Sequence, residues 1–245
     1  MSQKLTARHI ALFIIALFFP MVLTAVYFVA GEYNASLQKG AYGIGKTIQF
    51  ALPLVWISLI LRRPWRLRAF SPKGFLEGGG FGLLVYSLIV ALFWFGQDLP
   101  CFATELQTLR EDLGGRMARL GLGTPLAFLS LGAFYCLIHS GLEEYYWRWF
   151  VFGELRNHLA WPTAAALASF GFILHHVLIL ACYFGLTGIL TWLSVFGIFI
   201  GGFYWSWLYQ RSDSIWGPWL SHGLIDAAIF TVGYFVLFGS GQPLV

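Results

Sequence analysis

Gly141-Leu142-Glu143-Glu144-Tyr145-Tyr146-Trp147-Arg148-Trp149-Phe150 sets two carboxylates and a guanidinium within six residues of an otherwise apolar neighbourhood. On a helix, Glu144 and Arg148 stand four apart and share a face, with Glu143 one step round. The surrounding chain gives the cluster its meaning. Its 245 residues are 58% hydrophobic and 11% charged, with a mean hydropathy of +0.72, against about 25% charged for a soluble domain. Apolar runs near the length of a bilayer crossing recur. The chain therefore reads as an all-α polytopic membrane protein, one domain over residues 1–245 built as a bundle of about seven to eight transmembrane helices. Ionisable groups are costly in lipid, so they face a bundle interior or a watery cavity and mark function.

The first apolar run, residues 10–30, follows Lys4 and Arg8. It exceeds the roughly 7–15 apolar residues of a secretory signal and lacks a small-x-small cleavage site, so it reads as an uncleaved span. Further spans are expected near 41–61, 79–97, 124–142, 162–184, 187–209 and 215–238. Arg62, Arg63, Arg66, Arg68 and Lys73, five of the fifteen basic residues, follow the second span. The positive-inside rule puts that loop and the N-terminus in the cytoplasm. Arg148, Arg156 and Arg211 then fall on the same side, and the 98–123 loop, with helical character over 104–119, lies outside. A bacterial plasma membrane is the expected location. Topology accounts for the net charge of +4 better than nucleic acid does, and none is expected as a partner.

Several features are read as structural. Cys101, Cys136 and Cys182 are odd in number and widely spaced, which suits neither a disulfide framework nor a cysteine zinc site. Trp147, Trp149, Trp161, Trp205, Trp207, Trp216 and Trp219 read as interfacial anchors. Gly188, Gly197, Gly201 and Gly202 read as close-packing positions of the sixth span. After Glu144 the chain either continues the fourth span past a bend at Ser140-Gly141 or forms a separate helix in the cytoplasmic leaflet.

At membrane depth the ionisable residues are Lys46, His139, Glu143, Glu144, Arg148, His175, His176, His222 and Asp226. Adjacent helical residues point about 100° apart, so only one of His175 and His176 faces a given site squarely. His222 and Asp226 share a face one turn apart. Burying this pair and the Glu/Glu/Arg group together without function would be expensive. Three chemistries use such groups. Zinc hydrolysis needs three protein ligands, yet there is no HExxH, and of the pairs at ligand spacing, Glu144/Arg148 is unusable, leaving His222/Asp226. Serine catalysis lacks a GxSxG or Ser-Lys arrangement. Metal-free activation of water by glutamate and histidine fits, with Arg148 keeping the neighbouring carboxylate ionised.

Glu143-Glu144-x-x-x-Arg148, Phe172-x-x-x-His176 and His222-x-x-x-Asp226, in that order on separate apolar spans, resemble the three motifs of the CPBP family. That family comprises the type II (Rce1-like) CAAX prenyl proteases and the bacterial Abi/CAAX-protease self-immunity proteins. The resemblance covers residues 124–238, the expected catalytic core. It implies a glutamate-dependent intramembrane endopeptidase with an Rce1-like helical core, no cofactor or metal, and a cavity open to the cytoplasm. Glu143 would activate water, His176 would position and polarise it, and His222 with Asp226 would stabilise the oxyanion. Glu144 and Arg148 would support the first motif. The family often has Asn where this chain has Asp226, so Asp226 either carries a proton or orients His222; His175 is the alternative to His176. Trp147-Arg148-Trp149-Phe150 and the Leu174-His175-His176-Val177 run also resemble bacterial members that process C-terminal sorting tags.

The expected partner is therefore a membrane-associated protein or peptide, cut near its C-terminal region within the lipid bilayer. Three other functions stand against this one: an immunity or partner-binding protein without activity, a zinc-dependent membrane metalloprotease, and a proton-coupled transporter. The last would call for paired Gly/Pro-broken helices, which the sequence lacks.

Overall fold

Helix starts follow directly from side chains that can cap them. Thr6, Asn34, Ser71 and Thr124 each accept a hydrogen bond from the backbone N–H three residues on, satisfying a donor that the first turn leaves free. Pro72 and Pro125 then occupy the first helical position, where no backbone N–H is required. The structure, a computed structural model, describes residues 5–31, 34–64 and 68–239. Lys4, Arg66 and the side chain of Cys101 lie outside the described residues. Regular structure among those described is entirely helical: α1 (Ala7–Ala30), α2 (Ser36–Ile60), α3 (Pro72–Gly96), α4 (Pro100–Leu120), α5 (Pro125–Leu155), α6 (Trp161–Phe184), α7 (Ile189–Ser212) and α8 (Trp216–Phe238).

Seven of these are long and apolar enough to cross a membrane, and α4 is the exception. The chain is an all-α polytopic membrane protein. Helix α4 ends at Gly121, whose φ of 77° is open to glycine, and Glu105 on it accepts from the backbone N–H groups of Ile189 and Leu190 at the start of α7. Spans α2 and α3 begin earlier than hydropathy alone suggests, because Asn34 and Ser71 cap them upstream of their most apolar turns. Helix α5 does not break at Ser140-Gly141. It runs on to Leu155 through two wide π-helical stretches, Tyr135–His139 and Tyr145–Phe152, on either side of Glu143 and Glu144. Such stretches are rare and concentrate at functional positions.

Helix α8 is held by its neighbours' backbones. A Cβ at Gly78 of α3 would strike the backbone of Gly217, and one at Gly217 would strike that of Gly74. Small residues let helices meet this closely in lipid. On its other side, a Cβ at Gly223 would strike the carbonyl of Cys136 in the first π-helical stretch of α5. Gly217→Leu is accordingly expected to destabilise the fold by about 1–3 kcal/mol through overpacking. Denaturant unfolding in mixed micelles checks this, and an unchanged midpoint would contradict the seam. Among the glycines expected to pack the sixth span, Gly202 meets Ser169 and Arg148, whereas Gly197 has open space.

The buried core lies around the second half of α5, where Tyr146, Trp147, Phe150 and Phe152 are at most 1% exposed, against Leu12, Ala16, Ala168 and Tyr209. The basic side is knitted by ion pairs of Arg63 with Glu154, Arg68 and Arg156 with Asp213, and Arg211 with Glu77. Pairs this exposed contribute little each, but they link the loop after α2 to the ends of α5 and α7.

Candidate active site

Four spans bring ionisable side chains to one place. Helix α2 supplies Lys46; α5 supplies His139, Glu143, Glu144 and Arg148; α6 supplies His175 and His176; α8 supplies His222 and Asp226. Glu143 is 3% exposed. Its Oε1 lies 3.3 Å from His139 Nε2, 3.6 Å from His175 Nε2 and 3.9 Å from Lys46 Nζ. Its Oε2 faces His222 Nε2 at 3.8 Å. One oxygen is therefore crowded and the other is not. A carboxylate ringed by imidazole nitrogens and an ammonium can remain charged away from water.

Glu144 joins the first motif to the third. Its Oε1 accepts from Arg148 Nη1 at 3.0 Å and from His222 Nδ1 at 2.7 Å. Arg148 also donates from Nη2 to the Gly202 carbonyl at 3.3 Å, so the Glu144–Arg148 pair joins α5 to α7 through the guanidinium and to α8 through the carboxylate. That guanidinium lies over Phe172 at 4.9 Å and Trp205 at 4.8 Å, with the weak hydration that suits Arg to buried, stacked positions. Glu144 and Arg148 thus support His222 as much as they support Glu143.

His222 is held on a further side. The Trp205 indole stacks on its ring at 4.4 Å, with 17° between planes, and donates to Ser221 Oγ at 2.9 Å. Since Nδ1 is given to Glu144, Nε2 is the atom left for chemistry. It sits 3.8 Å from Asp226 Oδ1, and Asp226 is only partly buried.

The two adjacent histidines take different surroundings. His175 is the deeper at 3% exposure; it reaches Glu143, and Trp147 lies parallel to its ring at 6.2 Å. His176 is half-buried and donates Nδ1–H to the Phe172 carbonyl at 2.9 Å, so Nε2 of the neutral ring is an acceptor. The two rings are 4.1 Å apart, and Phe172 contacts His175, His176 and His222.

Of the residues expected at the site, Glu143, Glu144, Arg148, His175 and His222 are joined by direct contacts, Asp226 stands beside His222, and His176 meets this group through His175 and Phe172. Two more, Lys46 and His139, were noticed in the sequence at membrane depth and given no role. The spacing of four between His139 and Glu143 is a visible signal for His139, whereas Lys46 becomes informative only through a contact between helices. Trp147 and Trp205 correct the sequence reading. They are 0% and 3% exposed and pack on the site histidines, so they are not interfacial anchors. Trp147 is internal because α5 continues well past Glu144, and Trp205 because α7 turns it onto His222 of α8.

Chemically, the arrangement offers a fixed carboxylate with one open oxygen opposite an imidazole nitrogen. A water about 2.8 Å from each atom spans a separation of this size, which is the geometry of general-base activation. Among the described residues, no three His, Cys, Asp or Glu side chains form a group that could hold a metal ion.

Residues 125–228 match the family model described as type II CAAX prenyl endopeptidase Rce1-like, consistent with a member of the CAAX/CPBP protease family. At that level the match supports an intramembrane protease acting on a protein substrate in a membrane setting. No curated protein and no solved structure matches the chain.

Proposed function

Starting from an Rce1-like segment over residues 125–228, we propose that the chain is a glutamate-dependent intramembrane endopeptidase that uses Glu143 to activate water. One observation carries the reading: Oε1 of Glu143 is held by His139, His175 and Lys46, while Oε2 faces His222 Nε2 at 3.8 Å. In the proposed reaction Glu143 takes a proton from the water as its oxygen attacks the scissile carbonyl. His176, through Nε2, helps align and polarise that water, while His175 steadies the carboxylate. His222 and Asp226 form the oxyanion side. With Nδ1 on Glu144, His222 donates from Nε2 only as an imidazolium, flanked by the carboxyls of Glu144 and Asp226. Glu143 then returns its proton to the leaving amine as the C–N bond breaks, so the proton inventory closes.

Residues 124–238 form the catalytic core in this reading, and α2 completes it. The substrate is a membrane-associated protein cut near its C-terminal region. Two counts support access from the basic side, read as cytoplasmic. Glu143 is twelve residues from the end of α5 at Leu155 but eighteen from its start at Pro125, about 18 Å against about 27 Å of helix. His222 is six residues, about 9 Å, from the start of α8.

The test is hydrolysis by the purified chain in liposomes. Two internally quenched probes are offered: a peptide ending in a farnesylated CAAX tetrapeptide, and an unprenylated single-span protein with a C-terminal helix. Cleavage of at least one, undiminished by o-phenanthroline, is the expected result. Cleavage of neither would favour a scaffold without activity, and loss to the chelator restored by zinc would favour the metalloprotease reading.

A further inference from the structure

We propose that Lys46 and His139, which lie outside the three motifs, are positioning residues that fix the orientation of the Glu143 carboxylate, so that one oxygen is turned toward the water; this rests on the hydrolase reading above. Lys46 is 7% exposed on α2, ten residues from Ser36 and fourteen from Ile60. These are about 15 Å and 21 Å of helix, farther than a lysine stem extends, so its ammonium cannot snorkel to either surface. A lysine kept at that depth has an internal partner or a function. Its ammonium lies 3.9 Å from Glu143 Oε1 and 5.5 Å from the centre of the Phe50 ring. At that distance it acts on the carboxylate as a charge more than as a hydrogen-bond donor.

His139 adds the closer contact, 3.3 Å to the same oxygen. It is packed in turn by Tyr135 at 4.6 Å and Phe50 at 6.1 Å between ring centres. Tyr135 shares a hydrogen bond with Tyr42, oxygen to oxygen 3.4 Å. On α2 the participating residues are Tyr42 and Lys46, four apart; on α5 they are Tyr135, His139 and Glu143, again at intervals of four. Two rungs in register, Tyr42–Tyr135 and Lys46–Glu143, therefore tie α2 to α5 along one face. Together they hold Oε1 on the α2 side and leave Oε2 toward His222. The two oxygens are chemically equivalent, so what these contacts fix is the plane of the carboxylate; one free to turn about its last torsion would swing that plane away from the water.

The experiment uses the full chain in liposomes with whichever quenched probe the wild type cleaves. Lys46→Met is expected to lower kcat roughly 100-fold, the scale of a misplaced reacting group, with KM unchanged. Lys46→Arg is expected to restore most of the loss. His139→Phe should lower kcat likewise, and His139→Gln, whose amide can donate to Oε1, should retain most activity. Removing a cation from an apolar span eases insertion, so yield and thermal unfolding report misfolding separately; should Lys46→Met misfold, Lys46→Gln takes its place. Wild-type kcat in the Lys46 variants, with Glu143→Gln inactive, overturns the proposal and leaves the hydrolase reading standing. A rise in KM alone also overturns it, because Lys46 would then be meeting the substrate. Equal cleavage by wild type and Glu143→Gln sinks the glutamate mechanism itself and this proposal with it.

Discussion

Glu143→Gln is expected to remove hydrolysis almost entirely, lowering kcat by about 10²–10⁴-fold, the usual contribution of a positioned general base. The amide matches the carboxyl in size and still fits among His139, His175 and His222, whose ring nitrogens lie 3.3, 3.6 and 3.8 Å from the two oxygens. It cannot take a proton from water. The substitution conserves volume but leaves the buried Lys46 ammonium without the anion 3.9 Å from it, so thermal unfolding in lipid should be lowered, and rates are compared at a temperature where both proteins stay folded. That separates chemistry from folding. Initial rates on the quenched probe give the answer, and a variant that still cleaves would show that Glu143 is not the base.

The largest effect on stability is expected from Arg148→Met. Arg148 is 1% exposed and its Nη1 bonds Glu144 at 3.0 Å. Removing it leaves Glu144 buried with only His222 as its charged partner, and breaking a buried pair from one side costs about 3–5 kcal/mol. Arg148→Met combined with Glu144→Gln should recover much of this, since both charges are then gone, and the difference from additivity measures their coupling. Denaturant unfolding of the two single variants and the double variant in mixed micelles provides the comparison. Strict additivity would show that the pair is energetically independent despite its geometry.

Much of this architecture was legible because lipid makes every buried charge conspicuous. The seven spans follow from apolar length, and their ends moved most where Asn34 or Ser71 caps a helix upstream, or where α5 absorbs its aromatic stretch in π-helical turns. The pairing of Glu144 with Arg148 was readable as a spacing of four. So was the shared face of His222 and Asp226, although at 3.8 Å they are neighbours rather than hydrogen-bond partners. The bond from His222 to Glu144 was not readable, because nothing local relates residues 144 and 222. Lys46 was hidden for the same reason. With His175 and His176 the limit is different: 100° of helix rotation separates them, and which one reaches Glu143 depends on how α6 is turned against α5.

The seam between α3 and α8 bears on how a substrate arrives. Where two helices touch through Gly74, Gly78 and Gly217, no side chains stand between them to swing aside. Parting them would give up close packing between backbones that lipid chains do not reproduce. Gly223 against Cys136 closes the opposite flank of α8 in the same way. In the proposed protease, a polypeptide entering sideways would meet close backbone contact along both of these edges of α8. By contrast, α2 meets α5 through the side-chain pairs Tyr42–Tyr135 and Lys46–Glu143, which a substrate of the proposed protease would part without separating backbones.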